Sequence, residues 1–278
     1  MVRIITDTTA CLSPEVAKKY NIPVIPQIIH FGNDSFLEGV DMSIATFMMR
    51  LQTSADLPKT AAPTPESFIQ IFKQIVPTGE PILCIHPSTE VSGTVRSATL
   101  AAQEFPGADI RVIDTRLIAS PLATMVELAA EWAAAGKDVN TIEAGIREMM
   151  GRCHIYFLVA TLEYLAKGGR VGGAAAWVGS MLQIKPILTF RNGQVDILEK
   201  ERTHKRALAR MKELAVSQYP KDKNGYLTIL HAGVKEQGQA LAEQLGTTLG
   251  LSNVPLHHMP PAIVTHGGPG ILGVSFFA

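Results

Sequence analysis

Pro81-Ile82-Leu83-Cys84-Ile85-His86-Pro87-Ser88-Thr89-Glu90-Val91-Ser92-Gly93-Thr94 opens the stretch that decides the fold, and residues 95–104 continue it in helical composition. An apolar run of strand length, a hydroxyl-rich loop and a helix-forming segment in that order make a βα unit. The pattern recurs on both sides. Residues 2–6 open the chain as a strand, and Ile110-Arg111-Val112-Ile113-Asp114 is another apolar run ending in polar residues. Ser13-Pro14-Glu15 supplies an N-cap, a proline at the first helical position and an acid in the first turn; Ser43 and Thr64-Pro65-Glu66 repeat the start signal. Short strands alternating with capped helices predict an N-terminal parallel-sheet βαβ domain, with functional loops at the carboxyl ends of its strands.

The second half has a different rhythm. Residues 187–199 read as a hairpin, with Asn192-Gly193 as its turn and Gln194, Val195, Asp196 and Ile197 alternating polar with apolar. Strand-like runs follow at 226–230 and 271–277, separated by a Leu/Ala-rich helix over about 235–249. The fold class expected is therefore α/β, with a parallel-sheet domain over 1–155 and a C-terminal α/β domain over 156–278 whose sheet is largely antiparallel.

Composition narrows the function. Of 278 residues, 46% are hydrophobic and only 18% charged, so apolar area is left over for an internal cavity or an interface. Lys plus Arg equals Asp plus Glu at 25 each, which lacks the charge footprint of nucleic-acid or anionic-membrane binding. Cys11, Cys84 and Cys153 have no paired spacing, which argues against a disulfide framework and a zinc site. Asp7 falls where a signal peptide needs apolar residues, and the Ala-rich stretch 117–135 is broken by Glu127 and Glu131. A soluble, cytoplasmic protein without a membrane span is expected.

Several segments are candidates for binding. Ser92, Gly93 and Thr94 gather hydroxyls and amides at a helix N-terminus, which reads as plain N-capping, as an anion site, or as both. Thr60 sits on a small-residue loop where backbone can approach a ligand. Asp7-Thr8-Thr9 offers hydroxyls at a strand end, though an Asx turn accounts for it equally well. His266 and Gly267 begin the glycine-crowded loop His266-Gly267-Gly268-Pro269-Gly270, from which a histidine can reach a ligand. Gly168-Gly169-Arg170 reads as a helix end with Arg170 exposed just beyond it, and the charge-free stretch 171–182 as a core helix or a cavity wall. Residues 268–273 match G-x-G-x-x-G, but only a strand fits after them, so dinucleotide binding is rejected; P-loop and hydrolase-elbow motifs are absent.

Taken in order, Thr6-Asp7-Thr8-Thr9-Ala10, Lys59-Thr60, Val91-Ser92-Gly93-Thr94, Val112-Ile113-Asp114-Thr115, Leu162-Glu163-Tyr164-Leu165 with Gly168-Gly169-Arg170, and His266-Gly267-Gly268-Pro269-Gly270 resemble the DegV family of bacterial fatty-acid-binding proteins. The resemblance implies two α/β domains and a long-chain fatty acid in an internal tunnel, with no other cofactor. It places the carboxylate-binding hydroxyls on Thr60 and Ser92, with Gly93 and Thr94 beside them, and the glycine-loop histidine on His266, next to Gly267. The double-glycine arginine falls on Arg170, assigned to a protein partner. That partner is a separate ATP-using fatty acid kinase, to which the bound acid is presented for acyl-phosphate formation, so the protein itself is not expected to be an enzyme. The chain departs from the family at Ala61-Ala62, at Pro87-Ser88 and at Ser120-Pro121-Leu122-Ala123-Thr124, positions that bear on the head-group bonds and one tunnel wall. The competing reading is a stand-alone acyl-transfer or hydrolytic enzyme with Ser92 as nucleophile and His266 as base, for which Asp7 or Asp114 would have to act as the orienting acid.

Overall fold

Residues 82–86 are buried on both faces, as the continuous apolar run requires of a central parallel strand. In the computed structural model, which describes residues 1–54, 56–180 and 184–278, the first half runs β1 (Arg3–Asp7), α1 (Pro14–Lys19), β2 (Val24–Ile25), β3 (Ile28–Phe31), β4 (Asp34–Leu37), α2 (Ile44–Thr53), β5 (Lys59–Ala61), α3 (Pro65–Ile75), β6 (Ile82–His86), α4 (Thr94–Gln103), β7 (Ile110–Asp114), α5 (Ser120–Ala134) and α6 (Val139–Arg152). The second half runs β8 (Cys153–Leu158), α7 (Glu163–Lys167), β9 (Lys185–Arg191), β10 (Gln194–Glu201), α8 (His204–Gln218), β11 (Thr228–His231), α9 (Lys235–Leu249), β12 (Leu256–His258), α10 (Pro261–Gly267) and β13 (Leu272–Phe277). Two compact units result, Met1–Gly151 and Arg152–Ala278, and the change expected near residue 155 falls inside β8.

The first unit carries a four-stranded parallel sheet in the order β2-β1-β6-β7. Ile5, Ile82 and Cys84 pack with Phe68, Phe72, Ala98 and Ala101 of α3 and α4. Ser13, Ser43 and Thr64 cap α1, α2 and α3 through bonds from the N–H groups of Val16, Thr46 and Ser67. A second, three-stranded antiparallel sheet, β4-β3-β5, was not anticipated. Its hairpin turns at Gly32, whose φ of 59° a side chain rarely tolerates.

The second unit holds one six-stranded sheet, β10-β9-β8-β13-β11-β12, antiparallel at every pairing except β11 with β12. Asn192 and Gly193 turn the expected hairpin, with φ of 52° and 80°, and Met211, Leu214, Leu241 and Leu245 of α8 and α9 pack on the sheet. Two expectations need correction. His266 lies in the last turn of α10 rather than in a loop, because Pro261 starts a helix that Gly268 ends at φ 79°. Residues Gly172–Ser180 form a 3-10 helix, not a core helix; among the residues there whose burial is described only Ala174 is buried, and even Trp177 and Val178 stay partly exposed. Met181 and Leu182 of that stretch lie outside the described residues. Among the described residues, no helix is long and apolar enough to cross a membrane.

Ala119, which precedes α5, is held at φ 67° and ψ −142°, a region that suits glycine, and its N–H bonds Thr9 O at 3.0 Å. Ala119→Gly is therefore expected to raise stability by about 1 kcal/mol or more, read as a higher urea midpoint with an unchanged slope; a lower midpoint would show that the methyl's packing outweighs the strain.

Candidate functional site

In the first unit the turn between β6 and α4 assembles the hydroxyls singled out in the sequence. Ser88, fully buried, accepts the N–H groups of Val91 and Ser92 on its carbonyl at 3.1 and 3.0 Å, which curls the chain into α4. Gly93 is the N-cap and makes no side-chain cap bond. The Ser92 hydroxyl instead lies 2.8 Å from that of Thr94 and accepts the Thr94 N–H at 3.3 Å. Thr60 lies not on a loop, as expected, but in β5, where it pairs opposite Ile29 of β3. A methyl built on Gly93 would sit 3.4 Å from the Ala62 Cβ, so the exit of β5 lies against this turn. Ala61-Ala62 thereby leaves close backbone approach at a place where larger residues would stand off.

Beneath Ser92 runs a chain of buried polar groups. Gln27 Nε2 donates to Thr94 Oγ1 at 3.0 Å and to Asp7 Oδ1 at 2.9 Å. Asp7 Oδ1 also accepts the Thr9 N–H and hydroxyl at 3.0 and 2.6 Å, and Oδ2 lies 2.7 Å from His86 Nδ1. Asp7 thus makes the Asx turn expected of it and is a hub as well. Asp114, the other acid weighed as an orienting group, accepts from the Thr89 hydroxyl at 2.6 Å and from the Arg116 N–H at 2.9 Å.

In the second unit His266 packs against Gly168, where an added Cβ would lie 2.3 Å from His266 Nδ1. Arg170 Nη1 donates to Gly168 O at 2.6 Å. Arg170 is thus only partly exposed, not free beyond the helix as expected, and burial pulls its pKa down. Burial first, and the Arg170 charge second, lower the His266 pKa to about 4. The site therefore holds a neutral imidazole beside a permanent cation at neutral pH. Gly267 is buried, and a Cβ added there would strike the Ile271 side chain. Cys11, Cys84 and Cys153 are thiols whose pKa values burial pushes up, so none is a ready nucleophile. Among the described residues no cluster of His, Cys, Asp and Glu is suited to a metal ion.

The DegV family model matches residues 1–278. The chain belongs to the DegV family. It is 34% identical over 277 residues to a DegV domain-containing protein of Halalkalibacterium halodurans, covering 99% of this chain and 98% of that one. Among solved structures it is similar to a DegV family protein from Thermus thermophilus described for its fatty acid binding, at 28% identity and a TM-score of 0.93, with 100% of this chain and 99% of that chain covered. DegV from Bacillus subtilis, a fatty acid binding protein, gives 27% identity and a TM-score of 0.92 over 100% and 99% of the two chains.

Within this DegV protein, sequence reading singled out Thr60, Ser92, Thr94 and His266 as candidates but did not point to Gln27 or His86, nor to the several bonds that Asp7 accepts. One signal was available. β1 and β6 pair in parallel with Ile5 opposite Cys84, so the polar residues two places on, Asp7 and His86, come level at the carboxyl ends of the strands.

Because the folded pKa of His266 is about 4 against an ordinary 6.5, the unfolded chain binds its proton first as pH falls. The resulting stability is fully present above pH 6.5 and is lost as pH drops towards 4. The His266 imidazole is expected to titrate near 4 by NMR, and His266→Gln should flatten the stability loss in that window; a midpoint near 6.5 would contradict the burial argument. His231, lowered to about 4 chiefly by burial, contributes a similar slope that the variant leaves in place.

Proposed function

We propose that this DegV protein binds one long-chain fatty acid, with the hydroxyls of Ser92 and Thr60 as donors to its carboxylate. The observation that carries the reading is the Ser92–Thr94 hydroxyl pair at the start of α4, in a chain similar over its whole length to structures described as fatty-acid-binding. Burying about 14 methylenes gains on the order of 11 kcal/mol, while association costs roughly 4 to 15 kcal/mol. The two are comparable, so a satisfied head group decides whether binding is useful. Neutral hydroxyl donors and a helix N-terminus stabilise a carboxylate without an ion pair.

That choice suits a substrate-presenting role. A carboxylate oxygen held by hydroxyls keeps the electron density it needs to attack the γ-phosphorus of ATP on a separate kinase, giving an acyl phosphate and ADP. In this reading the protein is the acid's carrier and the kinase does the chemistry. The resemblance assigns His266 and Gly267 to the ligand, and burial keeps the His266 imidazole neutral. Arg170 is the cation proposed for the kinase. Its bond to the Gly168 carbonyl and its partial burial hold the guanidinium in place, so a kinase would meet a fixed cation rather than a loose one.

Mass spectrometry of lipid extracted from the purified protein should find about one long-chain fatty acid per chain; trace lipid together with no uptake of added oleate would overturn the proposal. Ser92→Ala combined with Thr60→Ala is expected to weaken oleate binding by tenfold or more, since each bond to a charged group is worth about 1.5–3 kcal/mol, while leaving the thermal midpoint within a few degrees. Unchanged affinity would remove these two hydroxyls from the head-group site.

A further inference from the structure

We propose that Asp7 and Gln27 are positioning residues which, through Thr94, oblige Ser92 to present its hydroxyl hydrogen outward, so that the site selects an ionised carboxylate over the matching fatty alcohol. The inference rests on the fatty-acid reading and adds the source of its head-group preference. A carboxylate can only accept hydrogen bonds. The Asp7 carboxylate is fully buried and lies 2.9 Å from the Gln27 side chain, so the amide group of Gln27 must face it with nitrogen rather than oxygen. That nitrogen has two hydrogens and no acceptor capacity, and its second hydrogen goes to Thr94 Oγ1 at 3.0 Å.

Direction now propagates. Thr94 Oγ1 has accepted from Gln27, and its own hydrogen needs an acceptor because the side chain is fully buried. The Ser92 oxygen, 2.8 Å away, is that acceptor. Ser92 Oγ also accepts the Thr94 N–H at 3.3 Å. Both of its acceptor positions are then taken, and its remaining function is to donate. Ser92 is only partly buried, so the donated hydrogen can meet a ligand. Thr94, placed beside the ligand by the resemblance, is instead a relay that does not touch the acid.

His86 fixes the origin of the chain. Its Nδ1 lies 2.7 Å from Asp7 Oδ2, and its ring meets the edge of Phe68 with centroids 5.3 Å apart. The carboxylate that sets every later direction is therefore clamped between a histidine and the two bonds from Thr9. A ligand alcohol in such a site can accept from Ser92 but leaves its own hydrogen facing donors, whereas a carboxylate offers acceptors alone.

The test compares the dissociation constants of oleate and oleyl alcohol on the full-length protein. Wild type should prefer oleate, and Gln27→Met, which removes both donors at similar length, should cut the oleate-to-alcohol preference about tenfold, the difference between bonding a charged and a neutral acceptor. Thr94→Val should lower the same ratio, and Thr94→Ser, which keeps the hydroxyl, should restore most of it; this pair decides the matter if Gln27→Met does not fold. A parallel loss for both ligands would mean that Gln27 and Thr94 serve structure alone and would overturn the inference. So would a ratio unchanged in Gln27→Met and Thr94→Val while wild type still binds oleate. Wild type binding neither ligand would overturn the fatty-acid reading itself and this inference with it.

Discussion

A carboxylate enclosed in protein costs several kcal/mol unless donors surround it, and the Asp7 side chain is completely enclosed. The donors come from separate parts of the chain: Thr9 from the turn after β1, Gln27 from the link between β2 and β3, and His86 from the end of β6. Satisfying one charge thus ties three segments to the carboxyl edge of the parallel sheet. Nearby bonds extend the tie, since Thr6 donates its hydroxyl to Ile85 O at 2.9 Å and Thr9 O accepts the Ala119 N–H at 3.0 Å. The start of α5, the turn before α4 and the loop after β1 are consequently set with respect to one another by polar bonds, over a core of Phe68, Phe72 and the β-strand isoleucines.

The second unit arranges polarity by another route. Around His266 a cation does part of that work. Arg170 disfavours a second positive charge, and burial acts in the same direction more strongly. The imidazole stays neutral and keeps both a donor and an acceptor nitrogen. Gly168 makes this possible twice over: it lacks the Cβ that would strike the histidine ring, and its carbonyl holds the guanidinium. An alanine there would displace His266 and Tyr164 together, because the added carbon would also lie 3.0 Å from Tyr164 O.

What could be read in the sequence follows the range of the interaction responsible. The hairpin at Asn192-Gly193 was legible because positive φ at two adjacent residues is a local demand. The starts of α1, α2 and α3 were legible because a cap and its N–H lie three residues apart. The sheet formed by β3, β4 and β5 was missed, since its strands are only three or four residues long and partly exposed, too short for a period to show. The helix carrying His266 was hidden by Pro260-Pro261 before it and glycines after it, which look like loop until the proline is recognised as a helix start. Ser92 and Thr60 were singled out by the family pattern, but the bonds beneath Ser92 were not. The bonds that matter span 20, 67 and 79 residues, and no local window contains both ends.

The identity of the linking residue follows from donor counting. Between an acceptor-only carboxylate and a hydroxyl that must also be made to accept, the connector needs two hydrogens on one side and no acceptor facing either neighbour. A serine or threonine has one hydrogen and would leave one end unspecified. A glutamate would set two carboxylates against each other, and a lysine would bring a charge that competes with the ligand for the field at the site. The amide of Gln27 meets the requirement while remaining neutral, and neither it nor Thr94 and Ser92 changes protonation across the physiological range. The order of the chain therefore starts at Asp7, a completely buried side chain supplied with four bonds.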